Sequence, residues 1–318
     1  MEINAIFLVV GLILLIKSAD FLVDGAASLA KKWGMSGLLI GLTVVSFGTS
    51  LPEVLVNILA SLKGSSDIGM GNIVGSNISN TLLVLGITAF FAGGLKVNKS
   101  IIKKQIPFSI LAVIVLFVLA NGTLINGSGG GLFRSDGIIL ISFFIIFLYM
   151  TFSEKNEKEI DEGEFKKRGL LSSWLLTIGG IIGLYFGAEL TVSNAEIIAR
   201  NFGVSEALIG ITVIGLGTSL PELAACVAAA LKKQAGMALG NIIGSNIFNI
   251  LWVLGISSII KPIEYSSMLD LDIAFVALSS IILIPLILMG RKMFLSRGGG
   301  VILLILYLQY MVFVAIRG

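Results

Sequence analysis

Apolar segments long enough to cross a bilayer follow one another along this chain almost without pause. They lie near residues 3–24, 35–62, 70–93, 105–121 and 137–153, then 171–194, 205–231, 237–260, 270–290 and 299–316. A spanning helix needs about 20 apolar residues, because the hydrocarbon core offers no partner to a bare backbone N–H or C=O. Of 318 residues, 56% are apolar and only 13% charged, against about a quarter charged in an ordinary soluble domain. That deficit leaves room for spans and short loops and for no separate soluble domain, so the expected fold is an all-α membrane protein, with the lipid bilayer as its first partner. The net charge of +3 is too small to argue for nucleic acid, and no obligate protein partner or cofactor is evident. Cys226 is the only cysteine, so no internal disulfide is possible. The absence of histidine excludes HExxH metalloproteases, histidine triads and histidine proton relays. Glu2, not a basic segment, precedes the apolar run Ile3 to Ile16, so that run reads as part of the fold and not as a signal peptide.

The chain is a duplicated unit. Gly41–Ile87 and Gly210–Ile256 share 25 identical positions of 47 at a constant offset of 169, without a gap. The offset extends upstream more weakly: Asp20 meets Glu189, Ala30 meets Ala199 and Gly34 meets Gly203. Five apolar segments per copy is an odd number, so the second copy must enter the membrane from the opposite side. The expectation is ten transmembrane helices in two inverted five-helix repeats, residues 1–153 and 170–318, joined by a charged, solvated linker at 154–169. With the N-terminus outside, 16 Lys and Arg fall in inside loops against five outside. That positive-inside bias puts both termini outside. Inverted repeats are a frequent build of secondary transporters, with the ion site near the midplane.

Each repeat carries GTSLPE, at Gly48–Glu53 and Gly217–Glu222. A carboxylate at bilayer depth costs several kcal/mol unless it faces a wet cavity or binds something. Calcium is a hard cation that takes six to eight oxygens, and two inverted helices presenting Glu53 and Glu222 would match its charge. Thr49 and Ser50 lie four and three residues before Glu53, on its helical face, and Thr218 and Ser219 repeat this before Glu222. Pro52 and Pro221 break the helical bonding and free the carbonyls of Gly48 and Gly217. Each repeat then reads GNI(V/I)GSNI, at Gly71–Ile78 and Gly240–Ile247. Ser76 and Asn80 are one turn apart, as are Ser245 and Asn249, and supply neutral oxygens. Asn72, Asn77, Asn241 and Asn246 read equally as ligands or as helix-joining groups. The glycines Gly71, Gly75, Gly240 and Gly244 read as close-packing positions between helices. Asp20 and Glu189 read as solvated or structural, and Cys226 as a small core residue.

The paired GTSLPE and GNI(V/I)GSN motifs resemble the two alpha-repeats of the cation/calcium exchanger superfamily, most of all its sodium/calcium exchanger branch and prokaryotic relatives. The resemblance covers nearly the whole chain. It implies ten helices with the second, third, seventh and eighth forming the site, and countertransport of Ca²⁺ against Na⁺. It also implies Thr49, Ser50, Glu53, Ser76 and Asn80 as ligands, with Thr218, Ser219, Glu222, Ser245 and Asn249, and backbone carbonyls near Ser46 and Gly215. Proton/calcium exchangers carry an acid in GNxxE, where this chain has Gly75 and Gly244. Potassium-dependent relatives carry an aspartate where this chain has Asn249; some archaeal sodium/calcium exchangers also have an acid there. The linker is too short for the regulatory calcium-binding domains of animal exchangers.

The expected function is therefore a secondary antiporter exchanging Na⁺ for Ca²⁺ by alternating access, in a prokaryotic plasma membrane. A proton-coupled divalent-cation exchanger is the alternative, and a passive cation channel lined by the same oxygens is a weaker one. An intramembrane enzyme would need a nucleophile–base pair or acid dyad; Glu53 with Glu222 could imitate a dyad, but GxGD and GxSxG are absent. The chain does not read as an enzyme.

Overall fold

The structure is a computed structural model that describes residues 2–63, 66–122, 130–153, 168–204, 215–289 and 293–317. Its helices are α1 Glu2–Trp33, α2 Gly37–Thr49, α3 Leu51–Lys63, α4 Gly69–Phe91, α5 Ile101–Ala120, α6 Arg134–Ser153, α7 Leu170–Asn201, α8 Gly215–Gly217, α9 Leu220–Leu231, α10 Ala235–Ile260, α11 Ser267–Leu288 and α12 Arg297–Arg317. Among the described residues, eight helices are long and apolar enough to span a membrane, and the pair α2–α3, bent by 48°, makes a ninth. Residues 154–167, most of the expected linker, and 205–214, the first part of the seventh apolar segment, lie outside the described residues.

The chain is not strictly all-α. Two antiparallel strand pairs tie loops together: β1 Leu95–Lys96 with β4 Phe294–Leu295, and β2 Gly131–Leu132 with β3 Ile263–Glu264. Short connections between spans bring these backbones side by side, and pairing satisfies their N–H and C=O groups. The arrangement follows the duplication. β1 and β3 follow the repeat-equivalent helices α4 and α10, while β2 and β4 precede the last helix of each half, so each half contributes one strand to each pair.

Helices α1 and α7 are 32 residues each, well beyond the apolar windows 3–24 and 171–194. Their polar ends stay helical until a glycine in the left-handed region stops them: Gly34 (φ 63°) and Gly203 (φ 75°). At both ends the chain closes back with the same bond, Met35 N–H to Ala30 O (2.8 Å) and Val204 N–H to Ala199 O (3.1 Å). The two helices run antiparallel in close contact through small residues. A Cβ on Gly11 would lie 2.6 Å from Thr191 Oγ1, and one on Gly180 would lie 2.5 Å from Leu22 N. These contacts exchange under the 169-residue offset, 11 with 180 and 22 with 191. Small residues let backbones approach where no hydrophobic force drives helix association.

Helices α4 and α10 sit at the centre, with 78% and 83% of their spanning windows buried, against 28–44% for the other six unbroken spans. Each holds a π-helical turn, Ser79–Val84 and Asn249–Val253, a feature frequent at functional sites.

Candidate ion-binding site

The site is built where the two GTSLPE segments meet the two GSN segments. Ser50 breaks α2 from α3 with φ −84° and ψ 11°, and Ser219 precedes α9 with φ −86° and ψ 1°. Both lie in the sparsely allowed bridge region, immediately before a Leu-Pro-Glu first turn. Each break places a glutamate at the start of a helix, where the positive end of the helix dipole favours a carboxylate. Glu53 and Glu222 are wholly buried.

Contacts cross between repeats. The Ser50 hydroxyl donates to Glu222 Oε1 at 3.0 Å and lies 2.9 Å from Ser245 Oγ. Ser245 Oγ in turn lies 3.4 Å from the same carboxylate oxygen and 3.5 Å from the Ser46 carbonyl. Ser76 Oγ is 3.3 Å from Thr218 Oγ1. Deeper along α4 and α10 four asparagines interlock. Asn80 donates to Asn246 Oδ1 at 3.3 Å and Asn249 to Asn77 Oδ1 at 3.1 Å, one bond being the repeat image of the other. Asn246 also donates to Thr81 Oγ1 at 2.8 Å, and Asn77 to the Asn246 carbonyl at 3.1 Å.

Several oxygens here have no donor. Both carboxylate oxygens of Glu53, Oε2 of Glu222, and Oδ1 of Asn80 and Asn249 are buried without a hydrogen-bond partner, as is Ser219 Oγ. A buried acceptor left unpaired costs about 1–3 kcal/mol, and more when charged. Five acceptor-only oxygens left unpaired around two acids form a donor set for a hard cation. Among the described residues no group of three or more His, Cys, Asp or Glu gathers, so such a cation would rest on two carboxylates and neutral oxygens.

Comparison with known proteins gives this geometry its context. The family model for sodium/calcium exchanger proteins matches residues 3–153 and 172–316. The chain belongs to the sodium/calcium exchanger family. The sodium/calcium exchanger MaX1 of Methanosarcina acetivorans is 30% identical, over 98% of each chain. The inner membrane protein YrbG of Escherichia coli is 38% identical, over 93% of this chain and 92% of its own. A solved structure of the sodium-calcium exchanger NCX_Mj, soaked with Na⁺ and Sr²⁺, superposes with a TM-score of 0.82 at 33% identity, covering 98% of this chain and 99% of that one. This is a family of membrane transporters, and a cation/calcium exchanger is the function it carries.

For this exchanger-family chain, the residues singled out from sequence fall into two groups. Ser46, Ser50, Ser245 and Glu222 touch directly, and Ser76 touches Thr218. Asn80 and Asn249 bond to Asn246 and Asn77. The Thr49 hydroxyl donates to Asn241 Oδ1 at 3.0 Å, and Asn241 donates on to Cys226 Sγ at 3.2 Å. Gly215 opens α8, ahead of Thr218. The Ser46 carbonyl also accepts the Ser50 N–H at 3.1 Å. Gly240 and Gly244 pack tightly against α2, as close-packing positions should; the segment at the same offset from Gly71 and Gly75 falls in residues 205–214, outside the described residues. Sequence reasoning left Asn77 and Asn246 undecided. Their repeat equivalence was the available signal, but their partners lie on the opposite repeat.

Proposed function

We propose that this chain is a secondary antiporter that exchanges Na⁺ for Ca²⁺ by alternating access at a site shared by its two repeats. The observation that carries the reading is the set of partnerless oxygens on Glu53, Glu222, Asn80, Asn249 and Ser219 at the meeting point of two repeated motifs. Glu53 and Glu222 would neutralise Ca²⁺. The hydroxyls of Ser50, Ser219, Ser76 and Ser245, the amide oxygens of Asn80 and Asn249, and Thr49, Thr218 and the Ser46 and Gly215 carbonyls would complete the shells of Ca²⁺ or Na⁺ as helices shift. MaX1 and NCX_Mj are named as sodium/calcium exchangers, which supports the coupling ion. Gly75 and Gly244 in place of the GNxxE acid support sodium over protons.

In this proposal the chain crosses the membrane ten times as inverted repeats. Strand pairing supports it: ten alternating spans put β1 and β4 on one side and β2 and β3 on the other, as the two pairs require. The excess of Lys and Arg on the β1–β4 side makes that side cytoplasmic and leaves both termini outside, in a prokaryotic plasma membrane. Sodium charge moved in excess of calcium charge would gain about 2.3 kcal/mol per elementary charge per 100 mV. The test is ⁴⁵Ca²⁺ uptake into proteoliposomes loaded with Na⁺, with K⁺, or under a pH gradient. Uptake that requires internal Na⁺ supports the proposal; uptake that follows the proton gradient and ignores Na⁺ overturns it.

A further inference from the structure

Two charged positions that the ion site does not use recur under the 169-residue offset. Asp20 on α1 corresponds to Glu189 on α7, and Lys232 corresponds to Lys63. Each lysine ends a helix whose first turn carries a site glutamate. Lys232 is the C-cap of α9, which opens with Glu222, and Lys63 lies in the last turn of α3, which opens with Glu53. A short helix thus joins each lysine to one wall of the site. The two pairs lie toward opposite faces. Lys232 precedes α10, whose far end leads into β3, so it sits on the β1–β4 side. Lys63 precedes α4, whose far end leads into β1, so it sits on the β2–β3 side.

The first pair is made. Lys232 Nζ lies 3.1 Å from Asp20 Oδ1 and 2.8 Å from Asp24 Oδ1, and donates to the Asp20 carbonyl at 3.0 Å. Arg168 Nη2, just ahead of α7, lies 3.1 Å from Asp24 Oδ2. Lys63 and Glu189 are exposed, and among the described residues no ion pair joins them. The helices follow the ion pairs: α1 packs along α9, whereas α7 does not pack along α3. All four helices are described over their full lengths. Asp24 maps onto Ser193, so Lys232 meets two carboxylates where Lys63 would meet one.

We propose that Lys232–Asp20 and Lys63–Glu189 are alternative latches, one for each face of the membrane. The first, reinforced by Asp24, holds α1 against α9 and keeps the β1–β4 side shut. It opens, and the second closes, when the two repeats exchange arrangements. The inference rests on the alternating-access reading and deepens it. The side chains of the first latch are 33–42% exposed, so it biases the equilibrium without locking it. Losing one such pair shifts a two-state ratio by up to about five-fold.

The test is crosslinking of the full chain in proteoliposomes with a short bis-methanethiosulfonate, read by mass. Cys226, the only native cysteine, is buried, so Lys63→Cys with Glu189→Cys presents two reactive thiols. Adding Lys232→Ala should raise the crosslinking rate by up to about five-fold. Concentrated choline chloride should erase that difference, because salt screens exposed ion pairs. Lys31→Ala, which removes an exposed lysine near the same end of α1, should change nothing. The latch is overturned if the two thiols never crosslink, if Lys232→Ala leaves the rate unaltered or raises it equally at low and high salt, or if Lys31→Ala raises it as much. Crosslinking needs no flux. A salt-sensitive gain without sodium-dependent Ca²⁺ uptake would keep the latch and remove the exchange reading. Sodium-dependent uptake that continues through a completed crosslink would do the reverse.

Discussion

Replacing Glu53 by Gln should make the cation-free protein more stable while abolishing its response to calcium. Both Glu53 carboxylate oxygens are buried with no donor. Each unpaired buried acceptor costs about 1–3 kcal/mol, so an ionised Glu53 left without donors would cost about 2–6 kcal/mol, which a bound cation relieves. Gln removes the charge and brings an amide that can donate as well as accept. A ligand at 100 times its Kd adds about 2.7 kcal/mol to the wild type, and at 1,000 times about 4.1 kcal/mol. Thermal unfolding of detergent-solubilised protein at alkaline pH, in chelator and then in saturating Ca²⁺, reads both effects. The variant should melt above the wild type in chelator and stay there in Ca²⁺, while the wild type rises. A variant that melts below the wild type in chelator and still gains the full calcium shift would refute the reasoning, since Glu53 would then be a satisfied structural acid.

Other perturbations separate scaffold from site. Asn246→Ala strips partners from the buried Asn80 amide and Thr81 hydroxyl, so it should cost about 2–6 kcal/mol and lower the melting temperature with or without cation. Gly187→Val should destabilise by about 1–3 kcal/mol through overpacking, since even a Cβ there would lie 2.8 Å from Leu15 N; reduced thermostability and yield of folded protein check this. Lys232 bridges Asp20 (3.1 Å) and Asp24 (2.8 Å) with all three side chains 33–42% exposed. Lys232→Ala should therefore cost less than about 1 kcal/mol, and the difference should vanish at high salt in the same melting assay.

Much of this molecule was legible because the sequence repeats itself. Glu53 and Glu222 stood out as charges inside apolar segments, and the gapless offset tied each to its own Thr-Ser and GSN neighbours; the structure brings Ser50, Glu222 and Ser245 into one cluster across the repeats. Helix ends were partly legible. Gly34 and Gly203 were paired by the offset, yet the apolar windows stopped α1 and α7 short, because hydropathy registers lipid contact and not helical continuity. The asparagine interlock was hidden for a different reason. Spacing places Ser76 and Asn80 on one face, but the partners of Asn77 and Asn80 lie on α10, and no local pattern reveals a bond across repeats.

The central claim is that Glu53 and Glu222 form one cation site. Equilibrium ⁴⁵Ca²⁺ binding to the purified wild type, Glu53→Gln and Glu222→Gln, with Na⁺ as competitor, tests it most directly. The account predicts binding by the wild type that Na⁺ displaces, and loss of that binding in both variants. Sodium-displaceable binding retained in either variant would contradict it.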